Sequence, residues 1–110
     1  MHELGLLTSV VDVVLKAAQG RTVESVNLEV GERSGAVVEA LHAAWPLAVR
    51  DEALNARLII DVVPATVWCP TCACEQHIDQ FFALACPVCD TPTADLRRGR
   101  EFRVLSIEVT

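Results

Sequence analysis

The stretch Cys69-Pro-Thr-Cys72, followed after thirteen residues by Cys86-Pro-Val-Cys89, decides how the second half of this chain folds. Two such turns at this separation allow four thiolates to converge on one ion, and the proline in each turn fixes φ. Zinc is the favoured ion, with a rubredoxin-like iron site and a pair of disulfides as alternatives. The five cysteines are an odd number and no secretory segment is recognised, so a purely disulfide framework would leave one thiol over.

Four protein thiolates would close the tetrahedron around zinc, which predicts a structural rather than a catalytic ion. The stretch from about Thr66 to Arg97 has few apolar residues for a core of its own, so metal binding has to supply much of its folding free energy. Its apolar residues are Val67, Trp68, Ile78, Phe81, Phe82, Leu84, Val88 and Leu96. Cys74 lies too close to Cys72 to replace it without re-forming the turn, which favours a bystander thiol.

Length and composition limit the classes of protein that this chain can represent. The 110 residues suit one small domain with a metal-stapled subdomain. The chain is 52% hydrophobic, but no apolar run approaches the length of a membrane span. Its net charge of −6 argues against general nucleic-acid binding. We see no nucleophile–base pair or phosphate loop, so an enzyme is not expected, and reduced thiols indicate the cytoplasm.

Hydrophobic periodicity predicts two helices and three strands around the cysteine-rich stretch. Glu3 to Gln19 has helical spacing that Gly20 stops, with an apolar face formed by Leu4, Leu7, Val11, Val14 and Ala18. A second helix is predicted to be capped by Ser34, to bury Val37, Leu41, Ala44 and Ala48, and to be kinked or shortened by Pro46 near Trp45. Alternating or β-branched strands are predicted at Val26 to Val30, Leu58 to Val63 and Phe102 to Val109.

This order predicts an α/β fold, in which a small mixed three-stranded sheet packs against two helices. The strand-helix-strand unit favours a parallel pair, and the last strand returns antiparallel. A four-cysteine zinc-ribbon-like subdomain is inserted before that strand. We expect residues 1–64 and 98–110 to form the α/β domain and residues 65–97 to form the zinc-binding domain. Pro64 and the segment from Arg97 to Arg100 are the expected hinges.

The first three residues, Met1-His2-Glu3, are a second feature with chemical meaning. Aminopeptidases remove methionine only before a small side chain, so His2 predicts that Met1 is kept. The α-amine, the His2 amide nitrogen and the imidazole can then chelate one ion, and Cu(II) and Ni(II) are the metals that bind a deprotonated amide. Glu3 can complete the square plane. Taken alone, however, a histidine at position two is more often a solvated residue of a frayed terminus.

Four segments together give the chain a resemblance to a known family. They are Met1-His2-Glu3-Leu4, then Gly31-Glu32-Arg33-Ser34 before the second helix, then the two cysteine turns, and then Gly99-Arg100-Glu101-Phe102-Arg103-Val104-Leu105-Ser106-Ile107-Glu108-Val109. In this order and at these separations they resemble the hydrogenase nickel-incorporation proteins of the HypA/HybF family. The resemblance covers essentially the whole chain.

This resemblance implies a nickel metallochaperone for the maturation of [NiFe]-hydrogenase. Nickel would be held at Met1, His2 and Glu3, and structural zinc at the four cysteines of the two turns. The implied partners are the accessory nickel-binding GTPase of the pathway and the hydrogenase large-subunit precursor. In some bacteria, related proteins also feed nickel to urease through its maturation proteins. A monomer and a homodimer both remain compatible with the sequence. The alternative function is a zinc-ribbon interaction module, binding protein or nucleic acid, without nickel chemistry.

Two positions depart from the family pattern. Gly5 stands where serine is common and weakens the start of the helix by up to about 1 kcal/mol. Val37 stands where many members carry an acidic residue near the nickel, so an auxiliary carboxylate ligand is not expected there.

Several other polar residues have more than one interpretation. For His42 a packing or surface role is favoured over metal binding, and His77 is expected to be solvated. Glu32 and Arg33 fit either a structural pair or a docking edge. A basic docking patch and a solvated connector are equally compatible with the cluster of Arg97, Arg98, Arg100 and Arg103.

Overall fold

Residues 2–78 and 84–110 are described by the computed structural model, in which they form two α-helices, a short 3-10 turn and six strands in two sheets. In chain order the elements are α1 (Glu3–Ala18), β1 (Val23–Gly31), α2 (Val38–Ala48), the 3-10 turn (Asp51–Ala53), β2 (Arg57–Val63), β3 (Thr66–Cys69), β4 (Cys74–His77), β5 (Leu96–Arg98) and β6 (Phe102–Val109). None of the helices in these ranges has the length and apolarity that crossing a bilayer requires.

The first sheet has the mixed arrangement that the sequence predicts. Its strand order is β2-β1-β6, with β2 parallel and β6 antiparallel to the central β1. Alternate residues Val26, Leu28 and Val30 of β1 are buried in one core with side chains of both helices. This period of two places one face of the strand against the helices, and the predicted α/β fold class is confirmed.

Helix α1 confirms most of its predicted apolar face. Leu7, Val11, Val14 and Ala18 are buried, together with Val10. Leu4, also expected to be inward, is 45% exposed. At 100° per residue the buried stripe is centred near Val14 and extends to Val10, so Leu4 lies at its edge. The helix stops where Gln19 and then Gly20 adopt positive φ, at 51° and 84°, which is a left-handed ending.

Helix α2 begins later than predicted. The expected cap, Ser34, is four residues before the first helical residue, and its hydroxyl instead accepts a hydrogen bond from the Ala36 N–H at 3.2 Å. The hydroxyl therefore stabilises a local turn rather than the helix end. Val37 precedes the helix in extended conformation and is 52% exposed, so its predicted burial is wrong. The helix also continues through Pro46 to Ala48, so the predicted shortening near Trp45 is wrong.

A second sheet lies within the inserted segment and was not predicted. It contains β4, β3 and β5 in that order, and both pairings are antiparallel. Its core is small and consists of Ala65, Val67 and Ile78, with Leu96 packed against them. Of the other expected core residues, Trp68 is half-buried, Leu84 is 40% exposed and Val88 is 72% exposed. Phe81 and Phe82 are outside the described residues.

The two sheets meet where the chain crosses twice between them. The Gly31 N–H donates to the Glu101 carbonyl at 2.7 Å, and the Glu32 N–H donates to the Val63 carbonyl at 2.9 Å. A side chain on Gly31 would overlap the carbonyl group of Gly99, because an added Cβ would lie well within 3.0 Å of it. The junction is therefore built from backbone in close contact, which requires glycine.

Candidate metal centres

The four cysteines of the two turns converge as the sequence predicts. Cys69 ends β3, Cys72 lies in the turn that leads to β4, and the thiols of Cys86 and Cys89 approach from the second turn. All four sulfurs lie within 4.8 Å of one another. The closest separations are 3.4 Å between Cys69 and Cys89, 3.6 Å between Cys72 and Cys89, and 3.8 Å between Cys72 and Cys86.

The two turns have the same local design. In each, the first cysteine is buried and the second is closer to the surface, so that Cys69 and Cys86 anchor the cluster in the subdomain. The Cys72 N–H points at the Cys69 sulfur at 3.3 Å. In the second turn the Cys86 N–H donates to the Thr91 carbonyl at 2.9 Å. Backbone hydrogen bonds therefore help to shape both turns around the sulfurs.

These sulfurs are arranged as a tetrahedral metal centre requires. Zn–S bonds of about 2.3 Å in a tetrahedron separate the sulfurs by about 3.8 Å. The three closest pairs, at 3.4 to 3.8 Å, agree with this distance, and all pairs lie within 4.8 Å. Four thiolates leave no position for water or substrate. The donor set therefore fits a closed, structural zinc centre and gives no open site for catalysis.

The protonation of the cluster also favours a cation. Hydrogen bonding by the Thr91 hydroxyl and backbone lowers the pKa of the Cys89 thiol to about 6. The sulfurs of Cys89 and Cys69 raise the pKa of Cys72 to about 12. Because one thiolate forms readily and makes the next one unfavourable, the four sulfurs need a bound cation to be deprotonated together.

At the N-terminal end, Glu3 opens α1 and His2 immediately precedes it. His2 is exposed, and its carbonyl accepts the first helical hydrogen bond, from the Leu6 N–H at 3.0 Å. Glu3 Oε2 accepts a hydrogen bond from the Val37 N–H at 3.3 Å. Hydrogen bonds from its own N–H and from Val37 lower the pKa of the Glu3 carboxyl, so the group is ionised as a metal ligand must be. Met1 is outside the described residues.

Val37, which stands where many similar proteins carry an acidic residue, is thus still in contact with the N-terminal segment. The side chain of Val37 offers no carboxylate, but its backbone N–H reaches Glu3. Sequence reasoning considered only the side chain at this position and missed the backbone contact. A backbone N–H has no sequence signal, because every residue except proline provides one.

Three other candidates lie outside the cysteine cluster. Cys74 is exposed, and its sulfur accepts a hydrogen bond from Gln76 Nε2 at 3.2 Å. It is not a member of the four-sulfur group found among the described residues. His42 is exposed on α2. His77, expected to be solvated, lies with its Nε2 3.0 Å from Glu32 Oε1, and this contact between the two sheets was missed.

The predicted basic cluster is partly paired within the chain. Arg97 makes two hydrogen bonds to the Asp95 carboxylate, at 2.8 and 2.9 Å, and its guanidinium lies 5.0 Å from the centre of the Trp68 ring. Arg103 Nε donates to Glu29 at 2.7 Å. Two of the four charges therefore have acidic partners in the chain, while Arg98 and Arg100 are exposed.

Comparison with known proteins identifies the family. A family model described as hydrogenase/urease nickel incorporation, metallochaperone, hypA matches residues 1–109. The chain belongs to the HypA family. The hydrogenase maturation factor HypA of Geobacter metallireducens is 37% identical over 110 residues, with 99% of each chain covered. That of Streptomyces avermitilis is 36% identical over 112 residues, covering 97% of this chain and 86% of the relative.

A solved structure agrees with the fold of this HypA chain. The solution structure of the Ni metallochaperone HypA from Helicobacter pylori matches 99% of this chain and 97% of its own, with a TM-score of 0.65 and 24% identity.

The family resemblance read from the sequence is confirmed. As a HypA protein, the chain is a nickel metallochaperone of hydrogenase maturation and not an enzyme. A zinc-ribbon module without nickel chemistry does not explain a family match over residues 1–109.

Proposed function

We propose that this chain carries its nickel at the N-terminus, on the α-amine of Met1, the amide nitrogen and imidazole of His2, and Glu3. The single observation that supports this proposal is the position of Glu3. This residue begins α1 next to His2, and its ionised carboxylate accepts a hydrogen bond from the Val37 N–H. Three adjacent nitrogen donors suit the square-planar preference of Ni(II).

A carrier has to bind nickel and also release it. The proposed ligands are chain-terminal groups next to one another, so a competing partner can remove them from the ion one at a time. The Leu6 N–H bond to the His2 carbonyl keeps the helix start in place while the nitrogens are exchanged. Acid weakens such a site, because the amine and the amide have to lose protons before they bind.

We infer that Cys69, Cys72, Cys86 and Cys89 hold one structural zinc ion. The sulfur separations of 3.4 to 3.8 Å and the small core of the subdomain support this role. In this proposal the α/β domain, residues 1–64 and 98–110, binds the nickel that is delivered. The zinc-binding domain, residues 65–97, is stabilised by its zinc ion.

The partners that suit this role are those of the maturation machinery. We propose the accessory nickel-binding GTPase and the hydrogenase large-subunit precursor as direct partners, in the cytoplasm. The family description names urease beside hydrogenase, which supports urease maturation proteins as further partners. Neither nucleic acid nor membrane is among the proposed partners, in keeping with the net charge of −6.

Calorimetric nickel titration tests the nickel site. We compare the untagged protein with His2→Ala, with a version that has extra residues before Met1, and with His42→Ala as the control for loss of an exposed imidazole. We expect His2→Ala and the extended version each to bind at least about tenfold more weakly, because each removes one chelate ring. His42→Ala should bind like the wild type. Equal nickel affinity in all four proteins would place the cargo elsewhere.

A further inference from the structure

A group of contacts away from the cysteine cluster surrounds the carboxylate of Glu32. Its Oε1 accepts a hydrogen bond from the Ala65 N–H at 2.5 Å and lies 3.0 Å from His77 Nε2. Glu32 follows β1 of the first sheet, whereas Ala65 precedes β3 and His77 ends β4 of the second. One carboxylate of the α/β domain therefore contacts two residues of the segment that forms the second, zinc-binding sheet.

The backbone around Glu32 is fixed by the same junction. The Glu32 N–H donates to Val63, the last residue of β2, and the Arg33 N–H donates to the Gly99 carbonyl at 2.6 Å. The Ser34 N–H closes the turn on the Gly31 carbonyl at 3.0 Å. Both chain crossings between the sheets thus hold the turn at residues 31–34.

From this turn the chain continues directly to the proposed nickel site. Ser34 Oγ accepts the Ala36 N–H at 3.2 Å, and the next N–H, that of Val37, donates to Glu3 Oε2 at 3.3 Å. The path from the zinc-binding sheet to Glu3 therefore consists of Glu32, one tight turn and one backbone hydrogen bond.

We propose that Glu32 is a positioning residue for the nickel site, which transmits the placement of the zinc-binding sheet to Glu3 through the turn and the Val37 N–H. The inference rests on the proposed nickel ligands at the N-terminus. Glu32 itself does not touch the ion. Its carboxylate fixes where Val37 presents its N–H, and that hydrogen bond orients the Glu3 carboxylate. A partner that moves the zinc-binding sheet away from Glu32 thereby loosens a nickel ligand and favours release of the cargo.

The test uses the zinc-loaded full chain and two measurements. The backbone amide resonance of Val37, recorded without nickel, reports the link itself, and calorimetric nickel titration reports its consequence. The variants are Glu32→Ala, which removes both contacts, and His77→Ala, which leaves the Ala65 contact. Glu24→Ala is the matched control, because Glu24 is an exposed carboxylate of β1, the strand that Glu32 follows.

We expect Glu32→Ala to shift the Val37 resonance and to weaken nickel binding by roughly three- to tenfold, with unchanged zinc content. His77→Ala should shift the same resonance by less. The double variant should be no weaker than Glu32→Ala, because both changes act through one carboxylate. Glu24→Ala should match the wild type in both measurements. Should Glu32→Ala unfold, Glu32→Gln keeps an acceptor for Ala65 and is expected to give a smaller shift in the same direction.

Two outcomes distinguish a failure of this inference from a failure of the proposed N-terminal nickel site. The role of Glu32 alone would be overturned if Glu32→Ala left the Val37 resonance and the nickel affinity unchanged while His2→Ala bound nickel poorly. Nickel binding that is insensitive to His2→Ala would overturn the N-terminal site and with it the inference, whatever residue 32 does.

Discussion

Ala73 and Asp90 occupy equivalent positions, each directly after the second cysteine of its turn. Both have positive φ, 55° and 62°, which side chains with a Cβ rarely adopt. The strain costs on the order of 1 kcal/mol at each position. The same unusual conformation occurs at the equivalent position of both turns. We therefore infer that it is needed to orient the cysteine side chains toward one another. We expect the hydrogen bonds around each turn and the proposed zinc ion to offset this strain.

Thr91 determines how the cluster responds to acid. Its hydrogen bonds, with smaller contributions from the Cys69 and Cys72 sulfurs, lower the pKa of Cys89 to about 6, and they no longer stabilise the thiolate once the pH falls below about 6. Thr91→Val removes the hydroxyl and should raise this pKa. We therefore expect zinc to be released at a higher pH than in the wild type, by up to about one pH unit. A dye that reports free zinc during acid titration measures the midpoint.

Thr91→Ser is the matched variant for this prediction, since it keeps the hydroxyl. It should restore the wild-type midpoint. If Thr91→Val and Thr91→Ser release zinc at the same pH, the hydroxyl does not control the cluster.

At the level of the elements, we expect the second sheet to depend on the proposed zinc ion far more than the first sheet does. Its core contains Ala65, Val67 and Ile78 with Leu96 at the edge. The first core buries side chains of β1, β2 and both helices, and partly buried side chains of β6 pack against it. A sheet of three short strands with so little apolar burial is not stable alone. The zinc-binding sheet should therefore lose its structure when the ion is removed, while the first sheet should not.

Hydrogen exchange with and without a strong chelator tests this dependence. We expect the amides of β3 and β4 to lose their protection by at least about tenfold when zinc is removed, because metal binding supplies the folding free energy there. Amides of β1, such as that of Leu28, should stay protected. Cys86→Ser should reproduce the effect of the chelator. Cys74→Ser should bind one zinc ion and exchange like the wild type, since its sulfur is not in the cluster. Uniform loss of protection in both sheets would contradict the prediction.

At the scale of the whole molecule, the two sheets are arranged along an elongated body of 51 × 23 × 15 Å. They are joined by the two chain crossings and by the contacts of Glu32. The crossings approach so closely that Gly31 and Gly99 face each other without side chains. Gly99 also has φ of 119°, a conformation open to glycine. The close approach makes the relative placement of the sheets a property of backbone packing.

Substituting the junction glycine tests this view of the molecule. Gly31→Ala should reduce the free energy of unfolding by about 3 kcal/mol or more, because the new Cβ overlaps the Gly99 backbone and both crossings have to move. Gly5→Ala is the control with the opposite sign. Its Cβ would meet nothing nearer than 3.8 Å, and it should raise the stability of α1 by up to about 1 kcal/mol. Urea unfolding of the zinc-loaded proteins measures both. A Gly31→Ala variant as stable as the wild type would show that the junction can open without cost.

Features that depend on local pattern could be predicted from the amino-acid sequence alone. The period-two strands, the helical spacing after Glu3 and the two C-x2-C turns predicted the mixed sheet, α1 and the four-cysteine cluster, since each reflects contacts or geometry within a few residues. The start of α2 was predicted wrongly because a serine hydroxyl serves a turn as well as a helix cap. The strands of the second sheet were missed because they are only three or four residues long.

The contacts that join these features could be found only from the three-dimensional fold. The contacts of Glu32 with Ala65 and His77, and of Glu3 with the Val37 N–H, join residues 33, 45 and 34 positions apart. The sequence contains no periodic signal for such pairs, because they depend on how two separately folded sheets come together. A backbone N–H is also the same at every residue except proline. Its partner is therefore settled by the packing of the chain and not by the identity of its side chain.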